Sequence, residues 1–216
     1  MPGAPGARPG AEEKALKAAE RGREDVAEAR AAWRAELAGI DPGRLVLIDE
    51  TGIDTRMTRA HARAARGQRA TGKVPRGRWE RLTVLGALAL DGIVASRSVA
   101  AATGTAVFLA FTEEVLIPAL RERPDALVVM DNLGAPKAET VRGALDRAGL
   151  SHRHLPSYSP DMNPIEPAWS KLETRLRAVG ARSKEALGAA LDPALATITA
   201  QDARGWFRLA GYPAAD

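Results

Sequence analysis

The sequence predicts an α/β fold in which a mixed sheet of about five strands is flanked by helices. Three apolar runs come first, near residues 45–48, 82–90 and 93–99, and the remainder of the chain alternates helical and strand patterns. Strands followed by such an alternation are typical of a sheet covered by helices. With 216 residues and 45% hydrophobic content, the chain can bury one sizeable core. We therefore expect one main domain with short appendages.

The residues before the first apolar run predict no part of the sheet. Residues 1–10 are rich in Pro and Gly, which predicts a disordered lead. Residues 11–40 are Ala-rich and charged, with apolar residues at roughly helical spacing, which predicts a helical linker packed on the main domain. The main domain is assigned to residues 41–212, and residues 213–216 are left as a tail.

The first half of the domain predicts three strands. The run at residues 45–48 follows the turn Asp41-Pro42-Gly43 and leads directly into Asp49, so it predicts a buried strand that ends in acids. The runs at 82–90 and 93–99 are separated by Asp91-Gly92, a dipeptide that suits a tight hairpin. An antiparallel pair is expected there.

The second half of the domain alternates helices and strands. Apolar spacing predicts a helix over 105–123, a strand over 126–130 that ends at Asp131, a helix over 136–148 and a short strand over 152–155. After the loop SYSPDMN, Pro164 begins a helix that runs to about residue 178. A last helical segment is expected over 184–198.

Two aspartates stand at the predicted ends of strands. Asp49 and Asp131 each follow an apolar run, and the carboxyl ends of strands are where ligand sites form in open α/β sheets. Carboxylates in water-poor surroundings repel each other unless a cation lies between them, and Mg²⁺ prefers carboxylate oxygens. Each aspartate taken alone is also explained by a strand end or by pairing with one of the many arginines.

A third acid, Glu166, lies near the start of the helix that Pro164 begins. Residues 132–165, which number 34, separate it from Asp131. Asn163 as N-cap, Pro164 at the first helical position and Glu166 at the third also match a capping box. Taken alone, Glu166 is explained by helix capping.

The basic residues are concentrated in one segment. The chain has a net charge of +4 and a pI near 9.7. Between residues 56 and 81 the net charge is +8, because Glu80 is the only acid among these basic residues: Arg56, Arg59, Arg63, Arg66, Arg69, Lys73, Arg76, Arg78 and Arg81. The segment is expected to contact DNA phosphates if it is ordered, or to form a solvated, mobile arm.

Composition and missing motifs exclude several classes of protein. The chain has no cysteine, which excludes disulfides and thiolate metal sites and leaves oxygen ligands. No apolar run is long enough to span a membrane and no signal-peptide pattern is present, so we expect a soluble, cytoplasmic protein without a membrane partner. A G-x-x-x-x-G-K-[ST] loop is missing, which argues against a nucleotide cofactor. A haloacid dehalogenase would need an aspartate where Thr51 stands.

Three strings carry a resemblance to a known family. LVLIDETG, VVMDNLGAPK and LPSYSPDMNPIEPAWSKLE resemble the three acidic motifs of the bacterial insertion-sequence transposases in the mariner superfamily. Those enzymes have two Asp and one Glu, with 34 residues between the last two acids. The third motif is the most specific, because Y-S-P-D-x-N-P-I-E followed by W-x-K-L has no common structural rival. The resemblance extends from about Arg23 to Tyr212.

The resemblance implies a fold, a reaction and a metal site. Residues 41–212 are expected to form a ribonuclease H-like catalytic domain that cleaves DNA strands and transfers them during transposition. Asp49, Asp131 and Glu166 are expected to bind two Mg²⁺ ions, for which Mn²⁺ may substitute. By analogy with the family, Asp49 contacts both ions. Its neighbour Glu50 would point to the opposite face if the strand continues.

Further residues take auxiliary roles through their positions in these motifs. Asn132 and Lys137 match the second motif, where they would orient a carboxylate or touch phosphate, although Lys137 also suits a solvated helix start. Tyr158 and Asn163 are expected to shape the loop that presents Glu166. Trp169 is interpreted as a core residue, and two histidines as structural: His152 and His154.

The resemblance also implies DNA as the partner, both element ends and target, and a homodimer in the active complex. Full-length relatives carry an N-terminal helix-turn-helix region, and the roughly 40 residues before the domain leave no room for it. The alternative is therefore a truncated transposase remnant that binds DNA or the parent transposase without catalysing transposition. A second frame of a frameshifted element would instead belong to a working transposase. The basic segment lies where mariner relatives insert a loop used for dimer contacts and DNA.

Overall fold

The structure is a computed structural model that describes residues 19–59, 61–72, 74–75, 77–131 and 135–213. Of residues 19, 21, 135 and 136 it describes the backbone alone. The predicted disordered lead, the first eight residues of the predicted linker and residues 214–216 of the predicted tail lie outside the described residues.

Five strands form one mixed sheet, in the order β3-β2-β1-β4-β5. Strand β2 runs antiparallel to both β3 and β1, whereas β4 runs parallel to β1 and β5 runs parallel to β4. The strands are β1 (Leu45–Asp54), β2 (Arg81–Ala89), β3 (Gly92–Val99), β4 (Leu127–Met130) and β5 (Ser151–His154). The predicted α/β class and number of strands are confirmed.

Strand β1 is longer than its apolar run predicts. It pairs with β2 from Leu47 to Asp54, but its pairing with β4 ends at Ile48 and Met130. Asp49 therefore lies inside β1, at the point where β4 ends. The prediction that β1 ends before Asp49 is wrong, because β2 continues to supply backbone partners after β4 has stopped.

The hairpin between β2 and β3 turns at Asp91-Gly92, as predicted. Gly92 has a φ of 114°, a conformation that residues with a side chain rarely adopt. The register shifts between Ala87 and Leu88, so the pair contains a bulge.

Six helices cover the sheet in the described part of the chain. They are α1 (Glu24–Leu37), α2 (Thr105–Phe111, continued by a π-helical turn Thr112–Leu116 and a last turn Ile117–Ala119), α3 (Ala135–Arg147), α4 (Ile165–Val179), α5 (Lys184–Leu195) and α6 (Ala200–Leu209). Helix α2 ends at Ala119, before residue 123, where its end was predicted; the next residue, Leu120, leaves helical geometry with a φ of −93° and a ψ of 5°.

Helix α6 was not predicted. Thr199 caps it: its hydroxyl accepts from the backbone N–H of Asp202, whose carboxylate accepts from the backbone N–H of Thr199. This capping box begins a new helix immediately after the predicted end of the chain's last helical segment.

The helices divide between the two faces of the sheet. On the face that carries Leu45, Leu47 and Val129, the core includes residues of α1, α4, α5 and α6; we call it the α4 face. On the opposite face, which carries Val46 and Ile48, the core includes residues of α2 and α3; we call it the α3 face. No helix in the described ranges is long and apolar enough to cross a membrane.

Candidate active site

Asp49 and Asp131 lie on the α4 face, at the same level of two neighbouring strands. Side chains alternate along a strand, so Asp49 shares its face with Leu47. In the parallel pair β1–β4, Leu47 lies opposite Val129, and Ile48 lies opposite Met130. Asp131 follows Met130 directly, so its side chain lies on the same face of the sheet as that of Val129. The two aspartates are thus brought together where β4 ends.

Glu166 reaches the same place from α4. It is the second residue of that helix, whose neighbouring residues Ile165 and Ala168 are buried in the core of the α4 face. Burial raises the pKa of Glu166, and the nearby charge of Asp131 raises it further. The structure therefore brings together the three predicted carboxylates.

The carboxylate of Asp49 has a strongly raised pKa. Burial raises its pKa to about 7, and the negative charges of Glu166 and Asp131 also raise it. Hydrogen bonds from the backbone of Glu50 and from Trp169 act in the opposite direction. Within the described residues, neither Asp49 nor Glu166 forms an ion pair, so protons or a bound cation must balance their charge.

Trp169 contacts Asp49 directly. The indole Nε1 donates a hydrogen bond to Asp49 Oδ2 at 3.1 Å, and the residue is only 3% exposed. Trp169 is a core residue, as predicted, but its contact with the site was missed. Its spacing of three residues from Glu166 was the available signal, because that spacing places both side chains on one face of a helix.

Glu166 does not take part in a capping box. The N-cap of α4 is Pro164, and no side chain caps the helix. The backbone N–H of Asn163 donates to Pro160 O at 3.0 Å, so it is not available to the Glu166 carboxylate. The alternative that Glu166 serves as a helix cap is therefore wrong, and the 3-10 turn Pro160–Met162 is the reason.

The loop that presents Glu166 is held from two distant parts of the chain. Arg30 of α1 donates to Ser159 Oγ at 2.7 Å and forms two hydrogen bonds with the Asp161 carboxylate, at 3.0 and 2.8 Å. Tyr212 donates from its hydroxyl to Met162 O at 2.8 Å. Sequence reasoning missed both anchors, because no local pattern links residues so far apart in the chain.

Tyr158 and Asn163 lie in this loop, as predicted. Tyr158 has a φ of 56°, unusual for a residue with a side chain, and is 46% exposed. Asn163 is only 2% exposed, and neither its Oδ1 nor its Nδ2 has a hydrogen-bond partner among the described residues. Asn163 is thus a buried amide next to the carboxylates with unused hydrogen-bonding capacity.

Lys137 lies on the other side of the sheet. Its Nζ is 3.0 Å from Glu50 Oε1 and 5.1 Å from the centre of the Phe108 ring, on the α3 face. The structure therefore does not bring Lys137 to the carboxylates on the α4 face. The position of Glu50 agrees with the prediction that Asp49, and not Glu50, faces the site. Asn132 lies outside the described residues.

The basic segment forms a long connection between β1 and β2. Its base is closed, because the Thr55 N–H donates to Glu80 O and the Glu80 N–H donates to Thr55 Oγ1, both at 3.1 Å. Arg182 donates to the carbonyls of Thr55 and Met57. Met57 is buried in the core of the α4 face, so the connection leaves the sheet on the side of the carboxylates.

Some basic side chains of this connection already have a partner and others do not. Arg56 pairs with Asp54 at 3.1 Å and stacks on the Trp79 ring at 3.9 Å, so its charge is already engaged. Five other predicted DNA-binding residues are exposed and form no ion pair with any described residue: Arg59, Arg63, Arg66, Arg69 and Arg78. Lys73 and Arg76 lie outside the described residues.

The carboxylates fit a divalent cation in their chemistry. They offer only oxygen ligands, as hard cations require. As the side chains stand, no three His, Asp or Glu residues of the described part are grouped closely enough to hold an ion. Simultaneous ionisation of three neighbouring carboxylates is unfavourable without a cation, so the donor set suits Mg²⁺ better than a network of hydrogen bonds.

A family model described as "DDE superfamily endonuclease" matches residues 44–188. This match covers well over half of the chain, from just before β1 into α5, and includes all three carboxylates. The chain belongs to this endonuclease family. The predicted recognition of a DDE enzyme is thereby confirmed. No match was found among curated proteins.

Solved structures similar to this DDE endonuclease come from the Mos1 mariner transposase. A pre-cleavage Mos1 transpososome has 18% identity and a TM-score of 0.69, with 93% of this chain and 64% of that chain covered. The Mos1 mariner paired end complex with Mn has 20% identity and a TM-score of 0.69, with 94% and 64% covered. The catalytic domain of Mos1 has 17% identity and a TM-score of 0.67, with 90% and 91% covered.

This likeness shows the fold. The predicted ribonuclease H-like architecture is confirmed, since the match covers nearly the whole chain and the catalytic domain of Mos1 alone is matched over 91% of its length. The DDE endonuclease spans only part of the longer Mos1 chains. It covers 64% of the Mos1 chain in the pre-cleavage transpososome, 64% in the paired end complex with Mn and 61% in a paired-end complex with the left transposon end.

Proposed function

We propose that this DDE endonuclease is the catalytic domain of an insertion-sequence transposase, which cleaves DNA strands and transfers them with divalent cations held by Asp49, Asp131 and Glu166. One observation carries the proposal. Asp49 of β1, Asp131 directly after β4 and Glu166 of α4 lie on one face of the sheet. Burial and neighbouring negative charge raise the pKa of Asp49 and of Glu166, and neither of these two residues forms an ion pair within the described residues. A structural ion-pair network would have placed a basic side chain beside Asp49 and Glu166.

The cations proposed are two Mg²⁺ ions, with Mn²⁺ able to substitute. Mos1 paired end complexes have been solved with Mn and with Mg, which supports the same preference here. Two such ions supply activation of the attacking oxygen and stabilisation of the leaving oxygen in phosphoryl transfer. The charges of both Glu166 and Asp131 act on Asp49, which favours it as the residue shared by both ions.

The protein's own residues bind and orient the reactants in this proposal. The β1–β2 connection leaves the sheet on the side of the carboxylates, and its exposed arginines would bind DNA phosphates through charge. Asn163 would hydrogen-bond water or substrate near Glu166, because its amide is buried without a partner. Mos1 transposase has been solved in paired-end complexes, one of them with the left transposon end, which supports DNA and a homodimer as partners of this chain.

The first prediction tests the three carboxylates. Purified wild-type chain is expected to nick supercoiled plasmid DNA in Mg²⁺ or Mn²⁺, and Glu166→Gln, Asp49→Asn and Asp131→Asn should each lose essentially all of this activity. The physical reason is that each substitution removes a charged oxygen ligand while keeping the size of the side chain. Nicking is measured by gel electrophoresis over time, with and without a chelator.

A matched control comes from the same helix. Glu173 of α4 pairs with Arg177 and lies outside the carboxylate cluster, so Glu173→Gln should nick like wild type. Retained nicking by Glu166→Gln of equal purity, or nicking that a chelator leaves unchanged, would contradict the assignment. A wild-type chain that binds DNA but nicks none would instead support the truncated remnant.

A further inference from the structure

Trp169 makes a contact that packing alone does not require. Its indole Nε1 points at Asp49 Oδ2 across 3.1 Å, although Trp169 belongs to α4 and Asp49 to β1. The rest of the indole lies in the core of the α4 face, among apolar side chains. The N–H is thus directed at a carboxylate on which the charges of Glu166 and Asp131 also act.

Gly86 provides the space for this contact. It lies directly opposite Asp49 in the pairing of β1 with β2. A Cβ at this position would lie 2.4 Å from Cη2 of Trp169, closer than real Cβ contacts come, and 3.2 Å from Cζ2, which is a tight contact. The indole therefore lies against bare backbone, and any side chain at residue 86 would push it away from its position beside Asp49.

The hydrogen bond restricts the carboxylate of Asp49. The torsion about the last bond of an aspartate is broad, so a carboxylate without partners samples many orientations. A buried N–H donor on Oδ2 selects one of them, and a charge-assisted hydrogen bond of this kind is stronger than a neutral one. The backbone of Glu50 donates a further hydrogen bond to the same carboxylate. The two oxygens of a carboxylate offer about four lone-pair positions, so acceptor positions remain for a cation.

We infer that Trp169 is a positioning residue that orients the Asp49 carboxylate for cation binding, and that Gly86 is required because it admits the indole. This inference rests on the proposed function, in which Asp49 binds the divalent ions. Groups that orient metal ligands in this way typically change metal affinity by about 10- to 100-fold when they are removed.

The decisive variant is Trp169→Phe, which keeps an aromatic ring in the core and removes the N–H. Its affinity for Mn²⁺, measured on the DNA-free protein by electron paramagnetic resonance of the unbound ion, should be about 10-fold weaker or more. Trp33→Phe is the matched control, because Trp33 is a buried tryptophan of the same core that does not contact Asp49. Urea unfolding of both variants checks that any change in affinity exceeds what lost packing explains.

A double-mutant cycle tests the role of Gly86. Gly86→Ala should weaken Mn²⁺ binding in the wild-type background, because the new methyl group displaces the indole. In the Trp169→Phe background the same change should have little further effect, since phenylalanine lacks Cη2 and Cζ2. The two effects are therefore expected to be less than additive.

The outcomes separate this inference from the proposed function. If Asp49→Asn abolishes Mn²⁺ binding while Trp169→Phe binds as tightly as wild type, the positioning role is overturned and the metal site stands. If wild type and Asp49→Asn bind Mn²⁺ equally, the proposed site fails and the inference fails with it. Equal weakening by Trp33→Phe and Trp169→Phe would show that general packing, and not the N–H, affects the site.

Discussion

Asp49 is a buried carboxylate whose position lowers the stability of the fold but is needed for the proposed metal site. The side chain lies inside β1 on a packed face, and its ionised form meets two further carboxylates and no cation among the described residues. A buried aspartate in an ordinary core would be replaced by an apolar residue at a gain in stability. Its presence next to Asp131 and Glu166 is what the proposed metal site explains.

The second prediction concerns stability and pH. The pKa of Asp49 is about 7 in the folded protein and 3.8 in its ordinary state, so the native state holds the proton more tightly than the unfolded state. Without metal, wild type should therefore lose stability relative to Asp49→Asn as the pH rises from about 4 to 7, by roughly 2–4 kcal/mol, and no more above pH 7. Urea unfolding in a chelator at several pH values measures the difference.

Metal addition provides the control for this prediction. Mg²⁺ binds the native state only, so it should raise the free energy of unfolding of wild type at pH 7 and leave Asp49→Asn nearly unchanged. Parallel pH curves for the two proteins in the chelator would show that Asp49 titrates normally and would contradict the raised pKa.

At the scale of elements, α1 is part of the catalytic domain and not only a connection to it. Trp33 and Leu37 are buried in the core of the α4 face, and Arg30 is 4% exposed. Arg30 joins α1 to the loop that precedes Glu166, through Ser159 and Asp161. The orientation of the third carboxylate thus depends on a helix near the start of the described chain.

The third prediction tests this ion pair. Arg30→Leu should lower the free energy of unfolding by about 2–3 kcal/mol, because it removes the hydrogen bonds that Arg30 donates to the Asp161 carboxylate and the Ser159 hydroxyl. The value lies below that of a fully buried pair, because the Asp161 side chain is 41% exposed. Arg34→Leu on the exposed side of α1 is the control, and urea unfolding is the measurement. Equal stability of the two variants would contradict the role of Arg30.

The elements that local patterns determine were predicted correctly. The hairpin at Asp91-Gly92 and the strand before Asp131 follow from turn residues and apolar runs a few residues long. The end of β1 could not be predicted from such local patterns, because residues 50–54 are held in the strand by β2, a partner more than 25 positions away. The contacts of Arg30 with Asp161 and of Trp169 with Asp49 were missed for the same reason, since each joins residues over 100 positions apart.

At the scale of the whole molecule, charge is distributed unevenly between the faces. The carboxylates and the base of the basic connection share the α4 face, whereas Glu50 and Lys137 neutralise each other on the α3 face. A polyanion that approached the exposed arginines would therefore also approach the carboxylates. The net charge of +4 says little about this arrangement, which depends on where the cations are.

The fourth prediction uses this distribution. Replacing Arg63, Arg66 and Arg69 together by Gln should weaken DNA binding and reduce the slope of log affinity against log salt by about 2–3, because each lost phosphate contact contributes about 0.9. Fluorescence anisotropy of labelled duplex DNA at several salt concentrations measures both quantities.

The control removes the same charge elsewhere. Three other exposed residues without ion pairs among the described residues can be changed together to Gln: Arg121, Arg175 and Arg204. If the two triple variants lose the same slope, net charge and not the connection governs binding. An unchanged slope in the first variant would leave the connection as a solvated arm.

The closed base of the β1–β2 connection has a consequence for how such a protein can diverge. Thr55 and Glu80 are joined by two hydrogen bonds at the base of the connection. The strands on the sheet side of this contact therefore keep their pairing whatever the number of residues in the connection. Lengthening a surface loop of this size costs little chain entropy. The length and composition of this connection can therefore change during evolution while the register of the strands that carry the carboxylates stays the same.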